Sequence, residues 1–170
     1  MKYYLKLFML LPIGLIAAII IYPFLHEASH SLCAIAFDAE VVKFNLSPLP
    51  SVLCNVEGLT KIQLFLVAIA GPIVPFVMCS LIKTKFFWLE YVRMIIVLIS
   101  ILSFSISLIG ILFGWEIISE QDDIIRFASY IENGKTISVG ICVIGICIAI
   151  IGLVRITKSH NCLKYFEISL

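Results

Sequence analysis

The chain has 170 residues, of which 62% are hydrophobic and only 14% are charged. This composition is too apolar for a soluble domain, and it predicts a single membrane-embedded domain over residues 1–170. The net charge is +1, so we expect no nucleic-acid partner.

The first apolar run extends from Phe8 to Leu25 and carries no charge. Its length is about what a helix needs to cross the hydrocarbon layer. The run is long for the apolar core of a signal peptide, and no clear small-x-small cleavage site follows it. We therefore predict a membrane helix over about residues 8–37, with a kink at Pro23, which has no N–H to donate.

The end of this helix carries His26-Glu27-Ala28-Ser29-His30, an H-E-x-x-H pattern. Residues four apart share one helical face, so His26 and His30 can hold one metal ion. Imidazole nitrogens suit zinc, and Glu27 can take a proton from water that the zinc activates. The alternative is a chance match, but ionisable side chains beside a hydrocarbon core are costly unless they have a function.

Residues 39–56 do not continue the helical pattern. Two short segments rich in strand-forming residues flank a turn that contains Pro48 and Pro50. We predict a β-hairpin here, with an irregular loop as the alternative. A lone hairpin is marginal in water, so it must lean on the helices. The hairpin, with Val42 and Phe44 as candidate substrate-binding residues, can receive an unwound segment as an added strand.

Three further uncharged runs predict membrane helices over about residues 62–82, 94–114 and 137–154. The predicted fold is an all-α integral membrane protein with about four transmembrane helices and a small β-hairpin after the first. Gly71 and Pro72 interrupt the second of these helices, where they allow close helix approach and are further candidate substrate-binding residues.

Four spans place both chain ends on one side of the membrane, together with eight of the twelve basic residues. The positive-inside rule assigns this side to the cytoplasm. The other side holds the two histidines of the first helix and nine of the eleven carboxylates.

Catalytic zinc takes three protein ligands, and the acidic stretch before the last span can supply the third. Asp122 and Asp123 are adjacent, so on a helix they point about 100° apart and only one can face the metal. Residues 119–122 resemble a capping box, which gives Asp122 a structural task. We therefore favour Asp123 over Asp122, with Glu116 and Glu120 as the next candidates.

These features resemble the site-two protease family of intramembrane zinc metalloproteases, especially its small bacterial members. The resemblance rests on the motif from His26 to His30 and on Ala70-Gly71-Pro72, which is similar to the family's A-G-P-x-x-N segment. Two features depart from the family pattern. Pro75 replaces the asparagine, and Asp122-Asp123-Ile124 stands where the family has an L-D-G segment.

The resemblance implies that His26 and His30 bind Zn²⁺, that Glu27 is the catalytic base, and that an aspartate from a later segment completes the site. It implies a hydrolase of the cell membrane, a multi-pass zinc metalloendopeptidase that cleaves membrane proteins or membrane peptides in the lipid bilayer. The family generally keeps its zinc site nearer the cytoplasmic face, whereas the charge count indicates the opposite side. The sequence therefore leaves open which face of the membrane is nearer to the zinc site.

Two other functions stay in view. One is a catalytically inactive, metalloprotease-like binding or regulatory protein, which the presence of Glu27 disfavours. The other is a small metal transporter, in which several spans should carry polar residues; here such residues concentrate at one end.

Overall fold

A computed structural model describes residues 2–46, 50–114, 122–128 and 130–158. Four stretches in these ranges are long and apolar enough to cross a membrane, and a two-stranded hairpin follows the first of them. The predicted fold is therefore confirmed. The elements in chain order are α1 (Lys2–Ile16), α2 (Tyr22–Ala36), β1 (Glu40–Asn45), β2 (Ser51–Asn55), α3 (Lys61–Leu81), α4 (Phe87–Phe113), α5 (Asp123–Ala128) and α6 (Gly134–Thr157).

A π-helical turn, Ala17–Ile21, joins α1 to α2. The N–H of Tyr22 reaches back five residues to the carbonyl of Ala17. Pro23 follows within the first turn of α2, where a missing N–H is tolerated. The distortion expected at Pro23 thus takes the form of a wider turn just before it, a feature often found near functional sites.

Helix α3 begins after a capping box, in which the Thr60 hydroxyl accepts from the N–H of Gln63 and the Gln63 side chain accepts from the N–H of Thr60. This helix packs along α2. Ala70, Gly71 and Pro72 are buried, and these small or compact residues let the two helices approach closely.

Helix α4 begins at Phe87, before the uncharged run that starts near Met94. The extra turns contain Glu90 and Arg93, both of which are buried. The Arg93 Nη1 donates to Glu90 Oε2 at 2.7 Å, and its Nε donates to the Cys79 carbonyl at 2.8 Å. Each charge is compensated inside the protein, so the pair can lie within a membrane helix. The uncharged run in the sequence therefore predicts a helix that starts too late.

Helix α6 packs along α4 and presents a stripe of mostly small residues to its neighbours in the bundle. A Cβ added to Gly145 would lie 3.0 Å from the Phe104 ring, so the close approach of the two helices depends on glycine there. The buried positions of the stripe are Ser138, Cys142, Gly145, Ala149, Gly152 and Ile156. Small side chains of this kind allow membrane helices to gain van der Waals contact with each other.

The hairpin pairs β1 with β2 in antiparallel register, with Phe44 opposite Val52 and an irregularity between Val41 and Lys43. It lies against the first turn of α2, where the Phe44 ring meets the Phe24 ring edge-on at 5.9 Å. Strand β2 lies beside α2 as well, so the hairpin is held next to the H-E-x-x-H motif.

Candidate metal centre

Two histidines of α2 and one aspartate of α5 point their side chains at one place. The Nε2 atoms of His26 and His30 are 3.1 Å apart, and both lie near Asp123 Oδ2, at 2.8 and 3.2 Å. The three atoms therefore form a nearly equilateral triangle, although α5 is more than ninety residues beyond α2. The described residues contain this one group of three or more side chains of a kind that can hold a metal ion.

A hydrogen bond of the His30 imidazole fixes which of its atoms can bind a metal. His30 Nδ1 lies 2.7 Å from the carbonyl of Val67, and a carbonyl can only accept, so Nδ1 carries a proton. In the neutral ring, Nε2 then presents a lone pair to the triangle. A backbone carbonyl bonded to the far nitrogen is the usual support of a metal-binding histidine.

Asp122 and Asp123 have separate partners. Asp122 caps α5, because its Oδ1 accepts from the N–H groups of Ile124 and Ile125, and its Oδ2 accepts from the Ser107 hydroxyl. Asp123 is left to reach the histidines. Burial would raise the pKa of the Asp123 carboxyl, but hydrogen bonds from the two histidines, when their Nε2 atoms carry protons, outweigh burial and hold that pKa below its ordinary value.

Gly71 of α3 forms the floor beneath the two imidazoles. An added Cβ would lie 2.8 Å from His26 Nε2 and would collide with His30 Nε2. The glycine therefore leaves open the space next to the nitrogens that face Asp123. This contact brings the Ala70-Gly71-Pro72 segment and the H-E-x-x-H motif together at one site.

The donor triangle fits a zinc ion. Ligands of tetrahedral zinc, at about 2.0–2.1 Å from the metal, are about 3.3 Å apart. The observed separations of 2.8 to 3.2 Å are slightly shorter. Two nitrogens and one carboxylate oxygen are also the donor types of a three-ligand zinc site, and lone pairs packed this closely repel one another unless a cation or proton lies among them.

Glu27 lies on the same helix and makes a contact that the sequence did not indicate. Its Oε2 accepts from the N–H of Val52 at 3.0 Å. That N–H therefore points away from β1, so the outer edge of β2 faces α2. Glu27, His30, Asp123 and Val52 line one cavity of about 350 Å³ between the hairpin and helices α2, α3 and α5.

The other candidate residues lie in different positions. Pro72 lines a smaller cavity of about 170 Å³ on the side of His26 and Asp122. Val42 and Phe44 lie on β1 and are not part of either cavity wall. Glu116, Glu120 and most of the expected capping box at 119–122 fall outside the described residues.

Three contacts around the site were missed by sequence reasoning: the Val67 carbonyl, the Val52 N–H and the Ser107 hydroxyl. The first two are backbone groups, which the side-chain pattern of a sequence does not reveal. Ser107 belongs to a serine-rich stretch of α4, and the sequence alone favours contacts within or between helices for serines in a membrane span.

The family model described as Peptidase M50B-like, a site-two protease family, matches residues 2–166. Comparison with curated proteins and with solved structures gave no match. The matched range covers α1 to α6 and includes the donor triangle, Glu27 and Gly71. The chain therefore belongs to the Peptidase M50B-like family of membrane metalloproteases.

Proposed function

We propose that this protein is a zinc-dependent intramembrane endopeptidase of the cell membrane. The observation that carries the proposal is the triangle of His26, His30 and Asp123, two of whose members, His30 and Asp123, line one cavity with Glu27. A purely structural cluster would not require three convergent lone pairs, an open space at Gly71 and a carboxylate nearby. Family membership supports the same reaction class.

The three donors would hold the zinc ion, which supplies a Lewis acid that acidifies water and polarises a peptide carbonyl. Glu27 accepts the proton of the attacking water and returns it to the leaving amine. Its bond from the Val52 N–H supports this role by holding the carboxylate against the cavity wall. The Val67 carbonyl keeps the His30 ring turned so that Nε2 faces the site.

The proposed substrates are membrane proteins or membrane peptides, because the cavity lies in a bundle of helices that are long and apolar enough to cross a membrane. A substrate helix hides its carbonyls in its own hydrogen bonds, so it must unwind before cleavage. The outer edge of β2 is suited to receive the unwound segment, because β2 lines the cavity from Ser51 to Cys54.

Two rival functions make different predictions. An inactive relative that only binds other proteins would have no use for the Glu27 carboxylate at the cavity wall. A metal transporter would need polar groups along a path through the bundle. The described metal-binding group instead sits where α2, α3 and α5 meet, near one end of the first span.

The experiment that tests the reaction is the Glu27→Gln variant. An amide fills the same space but cannot accept the proton, so we expect zinc content to stay at the wild-type level while cleavage falls by roughly 100-fold or more. Cleavage is measured on membrane-embedded peptides in proteoliposomes, with Glu57→Gln as the matched control in the loop after β2. Wild-type cleavage by Glu27→Gln would remove Glu27 from the mechanism.

A further inference from the structure

A second cavity lies at the end of the bundle where α3 and α6 end and α4 begins. Its volume is about 320 Å³, and its wall includes Ser80, Lys83, Glu90, Arg93 and Arg155. None of these residues takes part in the metal centre. The cavity is bordered by helix ends, which places it at the level where a membrane helix leaves the hydrocarbon layer.

The charges on this wall do not balance. Three cations face one carboxylate, and that carboxylate is already paired, because Glu90 Oε2 lies 2.7 Å from Arg93 Nη1. Among the described residues, Lys83 and Arg155 have no carboxylate within ion-pair distance, and both are exposed. The cavity therefore carries an excess of two positive charges.

Ser80 belongs to the same wall, and its hydroxyl is packed beside Gly152 of α6. Ser80 Oγ is shielded from solvent and has no hydrogen-bond partner in the described part of the chain. A buried polar atom without a partner is costly, so a missing partner is expected. Arg93 has donors to spare as well, since its two recorded bonds use only two of the five N–H groups of a guanidinium.

We propose that this cavity binds a phosphate group, held by Lys83, Arg155 and the Ser80 hydroxyl, with Arg93 behind them. Arginine and lysine donors around a hydroxyl match the charge and the several acceptor oxygens of phosphate. The group can come from the head group of an anionic lipid or from free phosphate. The lipid fits the setting, because exposed apolar residues of α3 and α6, Leu81, Ile151 and Val154, flank the site and can contact acyl chains.

The test compares two double variants that change the net charge equally. Lys83→Gln with Arg155→Gln alters the cavity, whereas Lys85→Gln with Lys158→Gln alters exposed cations of the same region that lie outside its wall. Detergent-purified protein is titrated with phosphatidylglycerol or phosphatidylcholine, and bound lipid is counted by native mass spectrometry. Inorganic phosphate is added as a competitor in a separate series.

We expect the first double variant to bind phosphatidylglycerol roughly tenfold more weakly and the second to bind it as the wild type does. Ser80→Ala, which keeps every charge, should weaken binding several-fold. Complete displacement of phosphatidylglycerol by millimolar inorganic phosphate would show that the phosphate group alone carries the affinity and would assign the site to free phosphate, whereas binding that persists would assign it to the lipid. Equal losses in both double variants, or equal binding of the two lipids, would overturn the proposal.

Discussion

Two imidazole nitrogens and a carboxylate oxygen, each about 3 Å from the next, are stable together only when something positive lies among them. A proton can supply this positive charge at low pH, and a zinc ion can supply it at neutral pH. The Val67 carbonyl holds a proton on the far side of His30, which keeps the near nitrogen free to bind. The Val67 carbonyl thus orients the His30 ring so that its lone pair faces the position shared with His26 and Asp123.

The two adjacent aspartates should respond differently to the same substitution. Asp123→Asn replaces the anionic donor by a neutral amide, so zinc affinity should fall by at least roughly tenfold in a chelator-competition titration. Asp122→Asn should leave the affinity nearly unchanged. Its side-chain oxygen can still cap α5, and its NH₂ can donate to the Ser107 hydroxyl. The reverse pattern would assign the metal to Asp122.

Gly71 provides a test that touches neither ligand nor base. Gly71→Ala puts a methyl group against both Nε2 atoms, so the rings must rotate away and zinc affinity should fall roughly 10- to 100-fold. Gly140→Ala is the control, because a Cβ at Gly140 meets nothing within 4 Å. Zinc content and unfolding temperature are measured for both. Full zinc binding by Gly71→Ala would mean that the space left by Gly71 has no influence on metal binding.

Among the elements, β2 connects the metal centre to the proposed substrate path. Val52→Pro removes the N–H that donates a hydrogen bond to Glu27. It should spare the hydrogen bonds between β1 and β2, because that N–H points away from β1. We expect cleavage to fall roughly tenfold or more with zinc content unchanged. Val52→Ala keeps the N–H and should stay close to wild-type activity. Equal activity of the two variants would show that the edge of β2 plays no part in turnover.

The elements also show which features a sequence can predict. The four apolar helices and the hairpin are marked by composition and by strand-forming residues at local spacing, and both were predictable. The start of α4 was not, because its Glu90–Arg93 pair is compensated by a partner charge and by the Cys79 carbonyl of another helix. The π turn before Pro23 likewise packs against α4, a contact that local sequence does not reveal.

At the level of the molecule, local spacing predicts part of the site and tertiary packing supplies the rest. His26 and His30 are one helical turn apart, so their convergence follows from helix geometry alone. Their meeting with Asp123 depends on how α5 packs on α3, and capping chemistry was enough to favour Asp123 over its neighbour. The role of the β2 edge could not be predicted, because it depends on which side of the hairpin faces α2.

The metal content of the purified protein tests the site as a whole. We expect about one zinc per chain in the wild type and in Glu27→Gln. The double variant His26→Ala with His30→Ala should contain almost none, because a single carboxylate cannot retain the ion through purification. Zinc is measured by plasma mass spectrometry against protein concentration, after exchange into metal-free buffer. Full zinc occupancy in the double variant would contradict a metal centre at His26, His30 and Asp123.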